Sequence, residues 1–351
     1  MALTTISTRW SLQDLLPGGI EQLEKYLDHI EACVQKIESC RPFLTTDLPE
    51  EDFLALLHTV EALRELTAMV GGYAYLRYAE NTQDPAALSL RDRIEQILAE
   101  ADNRTMFFSL WFKSLPDETA RRYISTAGDL HYYLESLRRY KPYTLSEPEE
   151  KIINLKDVNG CEALVKIYEI LTNSLTFNLE VDGEEKKLTR DGLTQYYHHK
   201  SPEMRAATYQ ELYRVYGEYK PVLAQIFSSL VHDWGSEGVG LRGYASPISM
   251  RNLSNDIPDP VVNTLLEVCR KNGGLFQRYF KLKARLLGMD RLRRYDIYAP
   301  VARSEKTLEL DKAISLVLDS FQQFSPLVAR SASRVLERNH LDAQVRPGKR
   351  G

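Results

Sequence analysis

A mainly α-helical protein, a multi-helix array carrying one small β-hairpin, is the fold class this sequence predicts. Three observations carry the expectation. Apolar residues recur at steps of three and four along most of the 351 residues, and acceptor–Pro pairs punctuate the periodic stretches. One segment instead alternates with period two around an Asp-Gly pair.

Taken in order, Ile20, Leu23, Leu27, Ile30, Val34 and Ile37 fall on one helix face. A longer stripe follows from Phe53 through Leu57, Val60, Leu63, Met69 and Tyr73, and a third runs from Leu90 through Ile94, Ile97, Leu98 and Met106 to Trp111. Asp84-Pro85 and Ser201-Pro202 read as an N-cap followed by Pro at the first helical position, where the missing N–H costs nothing. Asp47 to Glu50 and Ser146 to Glu149 have capping-box spacing. Further helices are expected over 117–139, 161–174, 190–199, 203–234, 259–288, 310–324 and 327–338. Between them, Leu175–Thr189 alternates on both sides of Asp182-Gly183, a hairpin signal because that turn needs positive φ. The glycine-rich stretch Gly235–Ser249 predicts an irregular loop whose backbone comes close to another segment or a ligand. No fixed-period repeat stands out, which disfavours a solenoid.

Composition narrows the function classes. A chain 43% hydrophobic and 27% charged is ordinarily globular, and a net charge of −4 offers no field for nucleic acid. Arg291, Arg293 and Arg294 sit beside Asp290 and Asp296, as in a solvated turn. The four cysteines are scattered without a CxxC, the opening residues lack a signal-peptide pattern, and no apolar run suits a membrane span. A cytoplasmic protein without membrane or nucleic-acid partners is the expectation.

Chemistry is hard to find in the motifs. None of the seven His is followed by Glu, so the HExxH of zinc peptidases is absent. His198 and His199 are adjacent and point about 100° apart on a helix, so they do not share a metal. His232-Asp233 are neighbours that would not face each other. The glycines of 235–243 follow a helix rather than a strand, so a plain loop is favoured over a phosphate cradle. The 20 tyrosines cluster at Tyr73/Tyr75, Tyr132-Tyr133 and Tyr196-Tyr197, where helix packing with a rim hydroxyl is the plain reading.

Four segments together resemble one family. They are RWSLQDLLPG (Arg9–Gly18), KPYTLSEPEEKIINLKDVNGCEALVKIYEILTNSLTF (Lys141–Phe177) with the VDG hairpin after it, GYASPISMRNLSNDIPDPVVNTLLEV (Gly243–Val268) and RRYDIYAPV (Arg293–Val301). In this order and spacing the chain resembles oligoendopeptidase F-type zinc metallopeptidases, relatives of thimet oligopeptidase, over nearly its whole length. The resemblance implies a cytoplasmic enzyme that cuts short peptides inside a deep helical channel. It implies an N-terminal helical region (1–113), a family-specific module with the hairpin (114–189), and the start of the catalytic domain (190–351).

In that family HExxH lies downstream of the region matching Tyr295–Pro300, and here it is not reached. No catalytic or metal-binding residue is therefore carried over. The expectation is the front half of a channel peptidase whose zinc belongs to the full-length enzyme. This chain would bind none and be inactive without the missing C-terminal half. An oligopeptide is the implied substrate, and Tyr244, Arg251 and Asn252 are the candidate groove residues, since Arg and Asn can hydrogen-bond a peptide backbone. Local capping and loop bracing is the competing account of these three. The alternative function is a standalone, non-catalytic all-α module binding a peptide or protein. A fragment should leave uncovered part of the stripe Ile314, Val317, Leu318, Phe321, Phe324, Leu327, Val328 and Val335, or the surface it packs on. The ending HLDAQVRPGKRG reads as a connector toward a metal-binding half rather than a disordered basic arm.

Overall fold

The computed structural model describes residues 8–301 and 308–350. Residues 1–7, where the stretch read above for a leader begins, lie outside them. The N-terminal region is built from α1 (Leu23–Cys40), α2 (Glu50–Glu80), α3 (Pro85–Thr105), α4 (Phe107–Ser114), α5 (Asp117–Thr126) and α6 (His131–Arg139). The long α2 packs against both α1 and α3. Its Phe53, Leu57 and Val70 are buried in a core running from Leu16 to Leu134. At the centre, Phe53 stacks on Tyr123 at 4.3 Å, and the buried Tyr123 hydroxyl donates to the Leu48 carbonyl at 2.7 Å.

Beyond lie α7 (Glu147–Asn159), α8 (Cys161–Ser174), β1 (Phe177–Val181), β2 (Glu184–Leu188) and the short α9 (Arg190–Thr194). The two strands pair antiparallel from Phe177↔Leu188 to Val181↔Glu184. The turn residues Asp182 and Gly183 have φ of 54° and 84°, the positive values the Asp-Gly pair predicts. Phe177, Leu179 and Val181 alternate into a second, smaller core with Leu193 and Val215.

The remainder comprises α10 (Pro202–Glu218), α11 (Lys220–Trp234), α12 (Pro247–Ser254), α13 (Asp259–Lys271), α14 (Gly273–Leu286), α15 (Leu310–Phe324) and α16 (Pro326–Glu337). Among the described residues, the extended segments are confined to one hairpin, so the mainly α expectation holds.

Most caps fall where the sequence places them. Asp84 Oδ1 accepts from the Ala86 N–H and Ser201 Oγ from the Met204 N–H, while Glu149 accepts from the Ser146 backbone N–H and hydroxyl. Asp47 does not cap α2, because the helix starts behind Pro49, whose ψ of 143° is extended.

Three expected long helices are each broken. Gly128 turns at φ 56° between α5 and α6. Pro221, which has no N–H to continue the ladder of α10, sits in the first turn of α11 just after the break at Tyr219, and Asn272-Gly273 separates α13 from α14. The 190–199 helix is shorter than expected, α9 passing into a 3-10 turn over Gln195–His198. The predicted loop is partly helical: Gly235–Leu241 continues α11 as a π-helical turn, closed by the Arg242 N–H donating to the Glu237 carbonyl at 2.9 Å.

Helices α15 and α16 pack chiefly on each other. The tail after them, read above as a connector, lies along the N-terminal region. The Ser11 N–H donates to the Asn339 carbonyl, the Ala343 N–H to Thr8, the Thr82 N–H to Gly348, and the Arg350 N–H to Ala79. Gly348 is required at its position. Its φ is +76°, and an added Cβ would lie 2.2 Å from Asn81 Oδ1.

Candidate functional site

The three residues proposed for a peptide groove lie around α12, but their side chains have different surroundings. Tyr244 is buried, its ring stacked on Tyr143 at 3.8 Å and 10°, and burial pushes its hydroxyl up to about 12. Asn252 is buried and donates through Nδ2 to Asp259 Oδ1 at 2.8 Å, while Ser249 Oγ donates to Asp259 Oδ2 at 2.7 Å. Asn252 and Ser249 thus brace the α12–α13 corner, while Tyr244 packs on the Lys141–Tyr143 turn. Arg251 alone is exposed, with its guanidinium 5.4 Å from the centre of the Trp234 ring.

Arg242, at the end of the π-helical turn, is the hub of this region. It forks both oxygens of Glu150 on α7 at 2.8 and 2.9 Å, and also donates to Glu237 and to the Tyr143 carbonyl. Such a bidentate pair fixes orientation as well as distance. A second strut is fully buried at its centre. Arg205 on α10 donates to Asp296 Oδ1 at 2.8 Å and to the His199 and Lys200 carbonyls, while Arg293 donates to Asp296 Oδ2 at 2.7 Å. Burial by itself would raise the Asp296 carboxyl, but the hydrogen bonds from Arg293 and Arg205 outweigh it and hold the group below its ordinary range.

Sequence reasoning missed one cluster. Asp157, Cys161 and Asp233 bring three potential metal donor atoms within 4.8 Å of one another. Asp157 and Cys161 flank the α7–α8 break, and Asp233 comes from α11. The four-residue spacing of the first two is visible in the sequence, but no local pattern announces Asp233. The Cys161 thiol lies 2.7 Å from Asp233 Oδ2, and burial followed by that carboxylate pushes it up to about 12. Burial, then Glu237 and Asp233, raises the Asp157 carboxyl to about 6.

This trio does not fit the zinc that the resemblance implies. It has no imidazole, its thiol is held in the donor state, and it bears no relation to HExxH spacing. Three of the histidines are engaged separately: His198 Nδ1 lies 3.1 Å from the Tyr298 carbonyl, His199 Nδ1 accepts from the Ser201 N–H, and His340 lies beside Asp14. No catalytic step through a metal is therefore derived from these residues.

A helical scaffold with a small hairpin module, braced around an irregular glycine-rich corner, is the class of architecture these elements define. Residues 111–177 match the oligopeptidase F N-terminal family, and residues 195–324 match peptidase family M3. The chain belongs to the M3 peptidases, of the oligoendopeptidase F type. It is 22% identical over 349 residues to oligopeptidase PepF of Bacillus subtilis, covering 97% of this chain and 51% of that protein. It is 23% identical over 285 residues to group B oligopeptidase PepB of Streptococcus agalactiae, covering 79% and 47%. Oligoendopeptidase-F from Enterococcus faecium has the same fold, with a TM-score of 0.72 at 20% identity over 94% of this chain and 69% of that one. The chain thus spans about half the length of the curated relatives it matches. Among the described residues no helix is long and apolar enough to cross a membrane.

Proposed function

We propose that this chain is the front, channel-forming part of a cytoplasmic zinc-dependent oligoendopeptidase that hydrolyses internal bonds of short peptides. In this reading 1–113 is a helical wall, 114–189 the family module, and 190–351 the beginning of the catalytic domain. Zinc and the groups that activate water belong to a further segment. This chain's own contribution is to enclose and orient the peptide. Arg251 is the groove residue best placed to donate to a peptide carbonyl, with Tyr244 and Asn252 holding its helix in place.

The observation that carries the reading is apolar surface along α13–α16. Leu265 is 61% exposed, Phe276 56%, Phe324 82% and Leu327 65%, and Val317, Phe321, Val328 and Val335 of the expected stripe are exposed with them. Apolar faces of this extent on successive helices suit coverage by further protein. Relatives about twice as long supply a candidate for that cover.

The test is to read the coding sequence past Gly351 and compare the 351-residue chain with its in-frame extension. Expected are an HExxH in the extension, about one zinc per longer chain, chelator-sensitive cleavage of short peptides, and neither zinc nor cleavage in the shorter chain. A stop codon with no HExxH nearby would overturn the proposal in favour of the standalone module. Chelator-sensitive cleavage by the 351-residue chain alone would equally sink it.

A further inference from the structure

A cavity of about 540 Å³ opens between α4, the Lys141–Tyr143 turn and the N-terminal end of α7. That volume lies within the range of small-molecule sites. Its wall carries three cations, Arg41, Lys113 and Lys141, against one carboxylate, Glu147, together with the rings of Phe107 and Trp111.

The charges do not cancel evenly. Arg41 forks both Glu147 oxygens at 3.1 and 2.7 Å, and Lys151 donates to the same carboxylate at 2.7 Å. Lys141 donates to the Leu115 carbonyl and lies 3.9 Å from Asp117. Glu150 and Asp102, the carboxylates that act on Lys113 from a distance, are themselves engaged, Glu150 forked by Arg242 and Asp102 facing Arg64 at 3.5 Å. Lys113 is the lining cation for which the described residues supply no hydrogen-bonded or ion-paired partner.

We propose that this cavity binds a small organic monoanion, a carboxylate carried on an apolar group, with Lys113 pairing the carboxylate and Leu44, Leu110 and Trp111 receiving the apolar part. Lys113 is the single lining cation without a direct partner, which matches one carboxylate group, and the apolar side chains of the wall match an apolar substituent. Burial pushes the Lys113 amine down from its ordinary range, as it does for a lysine lacking a counter-ion, and a bound carboxylate would reverse that. The inference does not rest on the peptidase reading.

The test uses the full chain, with N-acetyl-L-phenylalanine as probe, its C-terminal amide as the uncharged control and inorganic phosphate as the competing anion. Binding is followed by isothermal titration calorimetry. Saturable binding of the acid, with the amide at least about tenfold weaker, is expected from the loss of one charged hydrogen bond. Lys113→Met should weaken the acid by a similar factor and leave the amide unchanged. Phosphate should compete only weakly. Equal affinity for acid and amide, no saturable binding of the acid, or tighter binding of phosphate overturns the proposal. The amide comparison needs no substitution, so it stands even if the variant folds poorly.

Discussion

Replacing Asp157 by Asn should stabilise this protein at pH 8 and leave it nearly unchanged at pH 4. The Asp157 carboxyl is raised from its ordinary 3.8 to about 6, first by burial and then by Glu237 and Asp233, with Glu162 adding to the repulsion and Arg242 opposing it. A group raised in this way favours the fold while it is protonated. That benefit is complete below about 3.8 and is lost as pH climbs through about 6. At about 1.4 kcal/mol per pH unit the ceiling is roughly 3 kcal/mol. Asp157 is only partly buried and Asp233 is exposed, so solvent screening brings the expectation down to about 1 kcal/mol. Asn keeps the size and removes the charge. Urea unfolding followed by circular dichroism at the two pH values measures the difference. A gain of the same size at both, or none at pH 8, would show that ionised Asp157 is not penalised in the fold.

Two more perturbations follow from particular contacts. Arg205→Met leaves the buried Asp296 with Arg293 as its remaining guanidinium partner and removes a donor from the His199 and Lys200 carbonyls, and should cost about 2–3 kcal/mol in urea unfolding at neutral pH. Because Asp296 is lowered, the pair's contribution should hold above its ordinary 3.8 and fade as pH falls below it, and a cost under about 1 kcal/mol would contradict a buried strut. Gly348→Ala places a Cβ against Asn81 at a left-handed position and should free the tail, at a cost of about 1–2 kcal/mol. Faster hydrogen exchange at the Thr82 amide, which donates to the Gly348 carbonyl at 2.7 Å, is the readout, and unchanged protection there counts against the clasp.

Much of the fold is legible because its signals are local. Asp84 and Ser201 cap the helices they precede, and Asp182-Gly183 turns the hairpin, since each needs only neighbours a few residues away. The departures are local competitions as well. Pro49 pre-empts Asp47 as a cap, Asn272-Gly273 interrupts an apolar period that runs on without it, and the glycines after Trp234 widen a helix rather than ending it.

The candidate site is less legible. Tyr244 and Asn252 have the polar groups a peptide groove needs, but Tyr244 is buried against Tyr143 and the Asn252 amide is bonded to Asp259. A side chain's partners depend on what packs over it, which composition does not encode.

The sequence by itself determined the helical class, the hairpin and its turn, and the order of motifs by which the family is recognisable. Periodicity and capping are short-range properties of the backbone, so they survive in one dimension. Tertiary structure alone decided that Asp233 meets Asp157 and Cys161, that Arg205 pairs with Asp296 across 91 residues, and that the tail closes on Thr82. Those contacts join surfaces that only packing brings together, and their energies depend on burial, which no stretch of sequence carries alone.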